Sequence, residues 1–175
     1  MRLVIISLIM LAFVSCGTQK LPANRIDSDG DLVGIVTKLE FQKAPFSNWF
    51  DEAYSLYELD VETVERLKPF IKNLKIKAVM GTWCGDSRRE VPHFYKLLDA
   101  LDFDYNNLQM IAVNHDKEAP NNEQEGLNIR RVPTLIFYKN GKEINRFVEY
   151  PVETLEKDML HILEDNSYKH SYFED

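Results

Sequence analysis

Residues 81–92, "GTWCGDSRREVP", decide how the rest of the chain is read. The run before them, "KIKAVM" (75–80), has the apolar, β-branched character of a strand. The run that follows, "DSRREVPHFYKLLDAL" (86–101), carries Val91, Phe94, Leu97, Leu98 and Leu101 at helical intervals. Cys84 therefore stands at a strand–helix junction. There the unpaired N–H groups and the positive end of the helix macrodipole favour a thiolate over a thiol. Three residues on, Ser87 occupies the place of the second cysteine in a C-x-x-C pair.

Downstream, "NLQMIAVNHD" (107–116) reads as a second strand and "TLIFYKNGKEINRFVEY" (134–150) as two more. Asn140-Gly141 joins the latter pair in a hairpin, because both residues tolerate positive φ. "VETLEKDMLHIL" (152–163) is a closing helix with Leu155, Met159, Leu160 and Leu163 inward. Upstream, "LVGIVTKLEF" (32–41) reads as a strand, and "SNWFDEAYSLYEL" (47–59) as a helix capped by Ser47. Asp60 is positioned to cap a further helix with Val61, Val64, Leu67 and Ile71 on one side, and Pro69 should kink or shorten it. This βαβ–ββα order predicts an α/β domain with a mixed sheet, helices on both faces and an N-terminal helical extension.

The chain of 175 residues has an ordinary globular composition, 45% hydrophobic and 28% charged, with room for one domain. A net charge of −7 without a basic stripe excludes nucleic acid as a partner and disfavours a membrane surface held by basic residues.

Arg2 followed by an apolar run from Leu3 to Val14 has the length of a signal-peptide core and is too short to span a bilayer. It ends in "FVSCG" (13–17), which resembles the lipobox of bacterial lipoproteins, with Phe13 where leucine is usual. The resemblance implies that Cys16 is lipidated and becomes the mature N-terminus; a secretory signal cut near Ser15 is the alternative. Cys84 is then the single thiol of the mature protein, in an oxidising setting. Lipoproteins of the Bacteroidetes type use an acidic run after that cysteine as a surface-export signal, and none follows Cys16 directly. The expected localisation is the cell envelope, lipid-anchored and facing the periplasm. The organisation expected is signal peptide 1–15, lipidated N-terminus and flexible tether 16–31, N-terminal strand and helices 32–74, core 75–165, and a loosely ordered tail 166–175.

With Trp83-Cys84-Gly85 at the first strand–helix junction, Pro92 inside the helix, "NHD" (114–116) ending the next strand, "IRRVPT" (129–134) and "FYKNGK" (137–142), the segment from Lys75 to Leu163 resembles the thioredoxin fold. The resemblance implies that Pro133 is the family's cis-proline and that Val132 lies beside Cys84, where an extended substrate adds main-chain hydrogen bonds. It also implies that Trp83 forms an apolar lip. Trp83, Gly85, Val132, Pro133 and Glu149 are the implied substrate-binding residues, Glu149 standing where the family has a groove glycine.

Departures are as informative. Ser87 can hydrogen-bond a thiolate but cannot close an internal disulfide, so an intramolecular dithiol cycle is excluded. Ala78 stands where thioredoxins often bury an aspartate that serves the second cysteine. Arg88 and Arg131 would stabilise a thiolate and Asp86 would oppose it; Arg88 and Arg89 read equally as a solvated helix face. His93 and His115 form no metal-ligand spacing with Cys84 and read as structural or surface residues. No metal or cofactor is expected.

Two functions are compatible with this sequence. The first is a monothiol thiol–disulfide enzyme, with Cys84 as nucleophile and Ser87 steadying it. Its partners would be exported proteins bearing thiols or disulfides, and an external reductase or small thiol. The second is a redox-inert thioredoxin-fold binding or scaffolding lipoprotein.

Overall fold

The computed structural model describes residues 25–164 and 167–173. The signal-peptide and lipidation readings on residues 1–15 and Cys16 lie outside the described residues. Among the described residues, no helix is long and apolar enough to cross a membrane.

Strands β1 (Arg25–Ile26), β2 (Leu32–Val36), β3 (Lys75–Met80), β4 (Leu108–Ala112), β5 (Thr134–Lys139) and β6 (Lys142–Val148) form one sheet in the order β1-β2-β4-β3-β5-β6. β3 and β4 are parallel, and every other neighbouring pair is antiparallel, so the sheet is mixed as its sequence order implied. β5 and β6 meet through Asn140 and Gly141, at φ 52° and 76°, the left-handed geometry that matches the strands' twist.

Alternation along the strands separates two apolar layers. Ile76, Ala78, Met80, Met110, Ala112, Leu135 and Phe137 face the larger one. It is closed by α1 (Lys38–Phe41), α2 (Ser47–Leu56), α3 (Val61–Leu67), α4 (Gly85–Ala100) and α5 (Leu155–Glu164). Val79, Ile111 and Ile136 face the other, which is covered by Val113, Ala119, Leu127 and Val132. All five helices thus place buried side chains in the larger layer. The segment 113–132, which forms turns, roofs the second layer where a helix was expected. This bears on the site, because the roof ends at the cis-proline.

Several local expectations are corrected. The strand drawn over 32–41 stops at Val36, because Thr37 and Glu40 form a capping box that starts α1. Phe46, not Ser47, occupies the N-cap position of α2. Asp60 does cap α3, its carboxylate accepting from the Thr63 N–H at 3.2 Å, but Val61 points to solvent, 68% exposed. Pro69 ends that helix in a 3-10 turn, Lys68–Phe70, since it lacks the N–H to continue.

The tether and the tail differ more. Residues 25–31 belong to the domain: Arg25 and Ile26 pair with β2, and Asp31 is buried. Residues 167–173 are packed as well. Tyr168 is buried and donates its hydroxyl to Asp158 at 2.8 Å, while the Asn145 side chain donates to the Tyr168 carbonyl at 2.9 Å. Aromatic side chains in a polar tail gave little pattern to read; Tyr168 and Tyr172 reach back to the body of the domain, whereas Phe173 contacts Lys169 and His170 of the tail itself.

Candidate active site

β3 delivers the chain into a tight turn, in which the Cys84 N–H donates to the Gly81 carbonyl at 3.0 Å, and α4 starts immediately. Cys84 occupies the N-cap position with extended backbone (φ −84°, ψ 127°). Its side chain is half-buried and its thiol is free. Pro92 sits within α4 without ending it.

The loop 129–134 leads into β5, the strand next to β3, and so lies beside this turn. The Val132–Pro133 peptide is cis. Three hydrogen bonds fix the loop. The Glu149 N–H donates to the Pro133 carbonyl at 2.7 Å, the Thr134 hydroxyl donates to the Arg131 carbonyl at 2.7 Å, and the Cys84 thiol donates to the Val132 carbonyl at 3.1 Å. The sulfur and the residue before the proline are thus in direct contact.

Ser87 is fully buried, and its hydroxyl accepts from the Gly81 N–H at 3.3 Å. The sequence reading assigned that hydroxyl to the sulfur. In the structure it braces the turn instead, and the hydrogen bond of the sulfur runs to Val132. Gly85 is exposed, and a Cβ there would meet nothing within 4 Å beyond its chain neighbours, so no packing contact requires glycine at this position.

Trp83 forms a wall of the site. Its indole N–H donates to the Val113 carbonyl at 2.9 Å, and its ring stacks on His115 with centroids 4.6 Å apart and planes 21° apart. His115 Nε2 lies 3.6 Å from Asp31 Oδ2, and the other Asp31 oxygen accepts from the buried Thr82 hydroxyl at 2.7 Å. That hydroxyl also accepts from the Leu32 N–H at 3.1 Å. Asp31, Thr82 and His115 thus prop Trp83 from behind. Sequence reasoning missed this group, since Asp31 lay in the presumed tether and contacts Thr82 from fifty-one positions away. His93 is elsewhere, stacked on Tyr57 with centroids 3.9 Å apart.

The charges named from the sequence are paired off. Asp86 accepts from Arg89 at 2.6 Å, and Arg89 also reaches Glu90 at 2.7 Å. Arg88 donates its Nε–H to the Thr82 carbonyl, which anchors the guanidinium at the turn. Arg131 reaches Glu149 at 3.2 Å. Glu149 holds φ at 69°, in the region that favours glycine, which accords with its place in the motif. Tyr172 of the tail lies over Arg131, 3.7 Å from guanidinium carbon to ring centroid. Hydrogen bonds to Glu149 and then Tyr150 push the Tyr172 phenol above its ordinary value. No group of three His, Cys, Asp or Glu side chains among the described residues could hold a metal ion.

The arrangement suits thiol–disulfide chemistry: a half-buried free thiol, a helix N-terminus, an apolar wall and a cis-proline loop in contact with the sulfur. The thioredoxin family model matches residues 59–161. A thioredoxin-like protein of Acanthamoeba polyphaga mimivirus is 30% identical over 89 residues, 51% of this chain and 62% of that protein. The thioredoxin of Ictalurus punctatus is 30% identical over 101 residues, 55% of this chain and 91% of that protein. A crystal structure of oxidised thioredoxin O2 from Arabidopsis thaliana aligns over 59% of this chain and 86% of its own, at 22% identity and a TM-score of 0.40. The match to more than half the chain, on a thioredoxin fold that brings Cys84 to the cis-proline loop, places this chain in the thioredoxin family.

Proposed function

We propose that this protein acts on thiols and disulfides of exported proteins through Cys84 alone, as a lipid-anchored protein facing the periplasm. The supporting observation is the placement of Cys84, half-buried at the N-cap of the long helix α4 and beside the cis Val132–Pro133 peptide. The anchor rests on the apolar run ending at Cys16, and the compartment follows from it.

The chemistry is thiol–disulfide exchange. The Cys84 thiolate attacks one sulfur of a substrate disulfide; a new S–S bond forms as the old one breaks, and the second substrate sulfur leaves as a thiolate. Ser87 cannot make the return attack. Release therefore comes from the substrate's own thiol, which is isomerisation, or from an external thiol, which is itself oxidised as the substrate is reduced.

The test is to mix protein starting after Cys16 with a mixed disulfide of a peptide and thionitrobenzoate, and to follow thionitrobenzoate release and the adduct mass. Release with a peptide adduct on Cys84 is expected, and neither should occur in Cys84→Ala. A wild-type rate equal to that of Cys84→Ala overturns the reading. Incorporation of labelled palmitate that is lost in Cys16→Ser tests the anchor.

One observation favours a redox-inert binding lipoprotein instead. The Cys84–Val132 contact uses the S–H proton, which a thiolate lacks. In that case Cys84 would resist iodoacetamide until the protein unfolds.

A further inference from the structure

Beside the cis-proline loop lies an open cavity of about 710 Å³, within the usual size range of ligand sites. Its wall includes Asn128, Arg130, Arg131, Arg146, His170 and Tyr172, three guanidinium groups with no carboxylate in the lining. This is notable on a chain of net charge −7. One wall is the 170–173 segment, held in place by Tyr172 over Arg131, a Tyr150–Tyr172 ring contact and a Ser171 hydroxyl bond to the Tyr150 carbonyl at 3.4 Å.

The three arginines are engaged to different degrees. Arg146 is held by Glu143 at 2.7 Å and by the Leu127 carbonyl at 2.9 Å. Arg131 shares one Nη with Glu149 and keeps its remaining donors. Arg130 is exposed and makes no ion pair or hydrogen bond among the described residues. Burial, and then the Arg146 charge, hold His170 below the ordinary histidine value, and its Nδ1 accepts from the Tyr172 N–H at 3.2 Å. His170 therefore contributes shape and leaves the charge to the arginines.

We infer that this cavity is a substrate subsite that selects polypeptides carrying carboxylates close to the reactive cysteine. The reach follows from chain geometry. Cys84 touches the Val132 carbonyl, and Arg131 and Arg130 are the next two residues back along the loop. An extended peptide advances about 3.3–3.6 Å per residue, so acidic side chains one to three positions from a cysteine bound at Cys84 come over the cavity. Uncommitted guanidinium donors there match carboxylate geometry. The inference rests on the proposed thiol chemistry for its biological meaning, but the site can be tested without it.

Two measurements separate the questions. In the first, fluorescence anisotropy follows binding of labelled peptides with serine in place of cysteine, flanked either by Asp and Glu or by Asn and Gln. Binding of the acidic peptide about three- to tenfold tighter is expected, falling toward equality in Arg130→Ala/Arg131→Ala and with added salt. In the second, the same flanks are placed around a cysteine in the thionitrobenzoate mixed disulfide, and the ratio of acidic to neutral exchange rates is taken for wild type and the double variant. Equal binding of the two peptides, or a preference unchanged in the variant, overturns the subsite even if Cys84 reacts. Absence of exchange with a retained binding preference overturns the thiol chemistry and leaves the subsite standing.

Discussion

A Cβ placed on Gly81 would lie 2.5 Å from Cε2 of Trp83, closer than real side chains approach one another. The indole lies against bare backbone at this point, with its N–H on Val113 and its face on His115. The position of the tryptophan wall is therefore set by the absence of a side chain at residue 81.

Gly81→Ala should displace the indole and cost about 1–3 kcal/mol, the usual range for overpacking a tight contact. In a Trp49→Phe background, the emission of Trp83 reports the displacement and urea unfolding reports the cost. An unchanged spectrum with unchanged stability would mean that the backbone at residue 81 takes up a Cβ without displacing the indole.

Behind that wall, the Thr82 hydroxyl bridges the Leu32 N–H and the Asp31 carboxylate. Thr82→Val removes the bridge while keeping nearly the same shape, and it leaves a buried carboxylate and a backbone N–H short of a partner. A loss of about 1–3 kcal/mol is expected from urea denaturation. Asp31→Asn/Thr82→Val should lose less than the two single losses added together, because the two side chains share one interaction.

At Glu149, with φ of 69°, an alanine pays the steric cost of a Cβ in the left-handed region and a glycine does not. Both substitutions remove the contact with Arg131. Glu149→Gly should therefore be more stable than Glu149→Ala by about 1 kcal/mol, measured by thermal or urea unfolding. Equal stabilities would mean that the backbone relaxes away from this conformation.

The strands and the helices of the core were legible because each has a local signature: alternation, helical spacing, Asn140-Gly141, and a cysteine at a strand–helix junction; the loop carrying Pro133 was legible only through the resemblance to thioredoxins. Thr37 and Glu40 also had a local signature, a capping box, but it lay inside an apolar run that reads as strand. Asp31, Tyr168 and Tyr172 had none. Their partners, Thr82, Asp158 and Arg131, stand in other elements of the fold, the nearest of them ten positions away, and no local pattern announces the pairing. Ser87 was legible in position but not in orientation, since a hydroxyl beside a turn can serve either the backbone or the sulfur.

A cluster around Asp99, joining α4 to Lys38 and Tyr54, should contribute to stability against acid. Asp99 accepts from the Tyr54 hydroxyl at 2.5 Å, from the Tyr105 hydroxyl at 2.6 Å and from Lys38. Burial alone would raise the Asp99 carboxyl, but the hydrogen bonds from Lys38, Tyr105 and Tyr54 together hold it below the ordinary value. A carboxyl depressed in the folded state contributes stability above its unfolded value, 3.8, and that contribution is lost as pH falls through the lower folded value. Asp99→Asn should be less stable than wild type at pH 7, by about 1–3 kcal/mol for hydrogen bonds to a charged group. The difference should shrink as the pH is lowered below about 4. A difference that stays constant from pH 7 to pH 2 would remove Asp99 as the titrating group.

Ser87→Cys asks whether the site retains the geometry of a two-cysteine motif. Ser87 lies in the first turn of α4, three residues from Cys84, in a fully buried slot whose hydroxyl receives the Gly81 N–H. Residues three apart on a helix bring their Cβ atoms to roughly 5–6 Å, and a disulfide needs about 3.5–4.5 Å. The extended backbone of Cys84 at the N-cap leaves it free to close that gap. On treatment with diamide, Ser87→Cys should lose both thiols to labelling and return them with dithiothreitol, without forming dimers. In protein starting after Cys16, wild type carries the single thiol of Cys84, which can form a disulfide only with another molecule. If the variant keeps both thiols or cross-links between molecules, α4 holds residue 87 away from the sulfur, and the turn has been rebuilt around the serine.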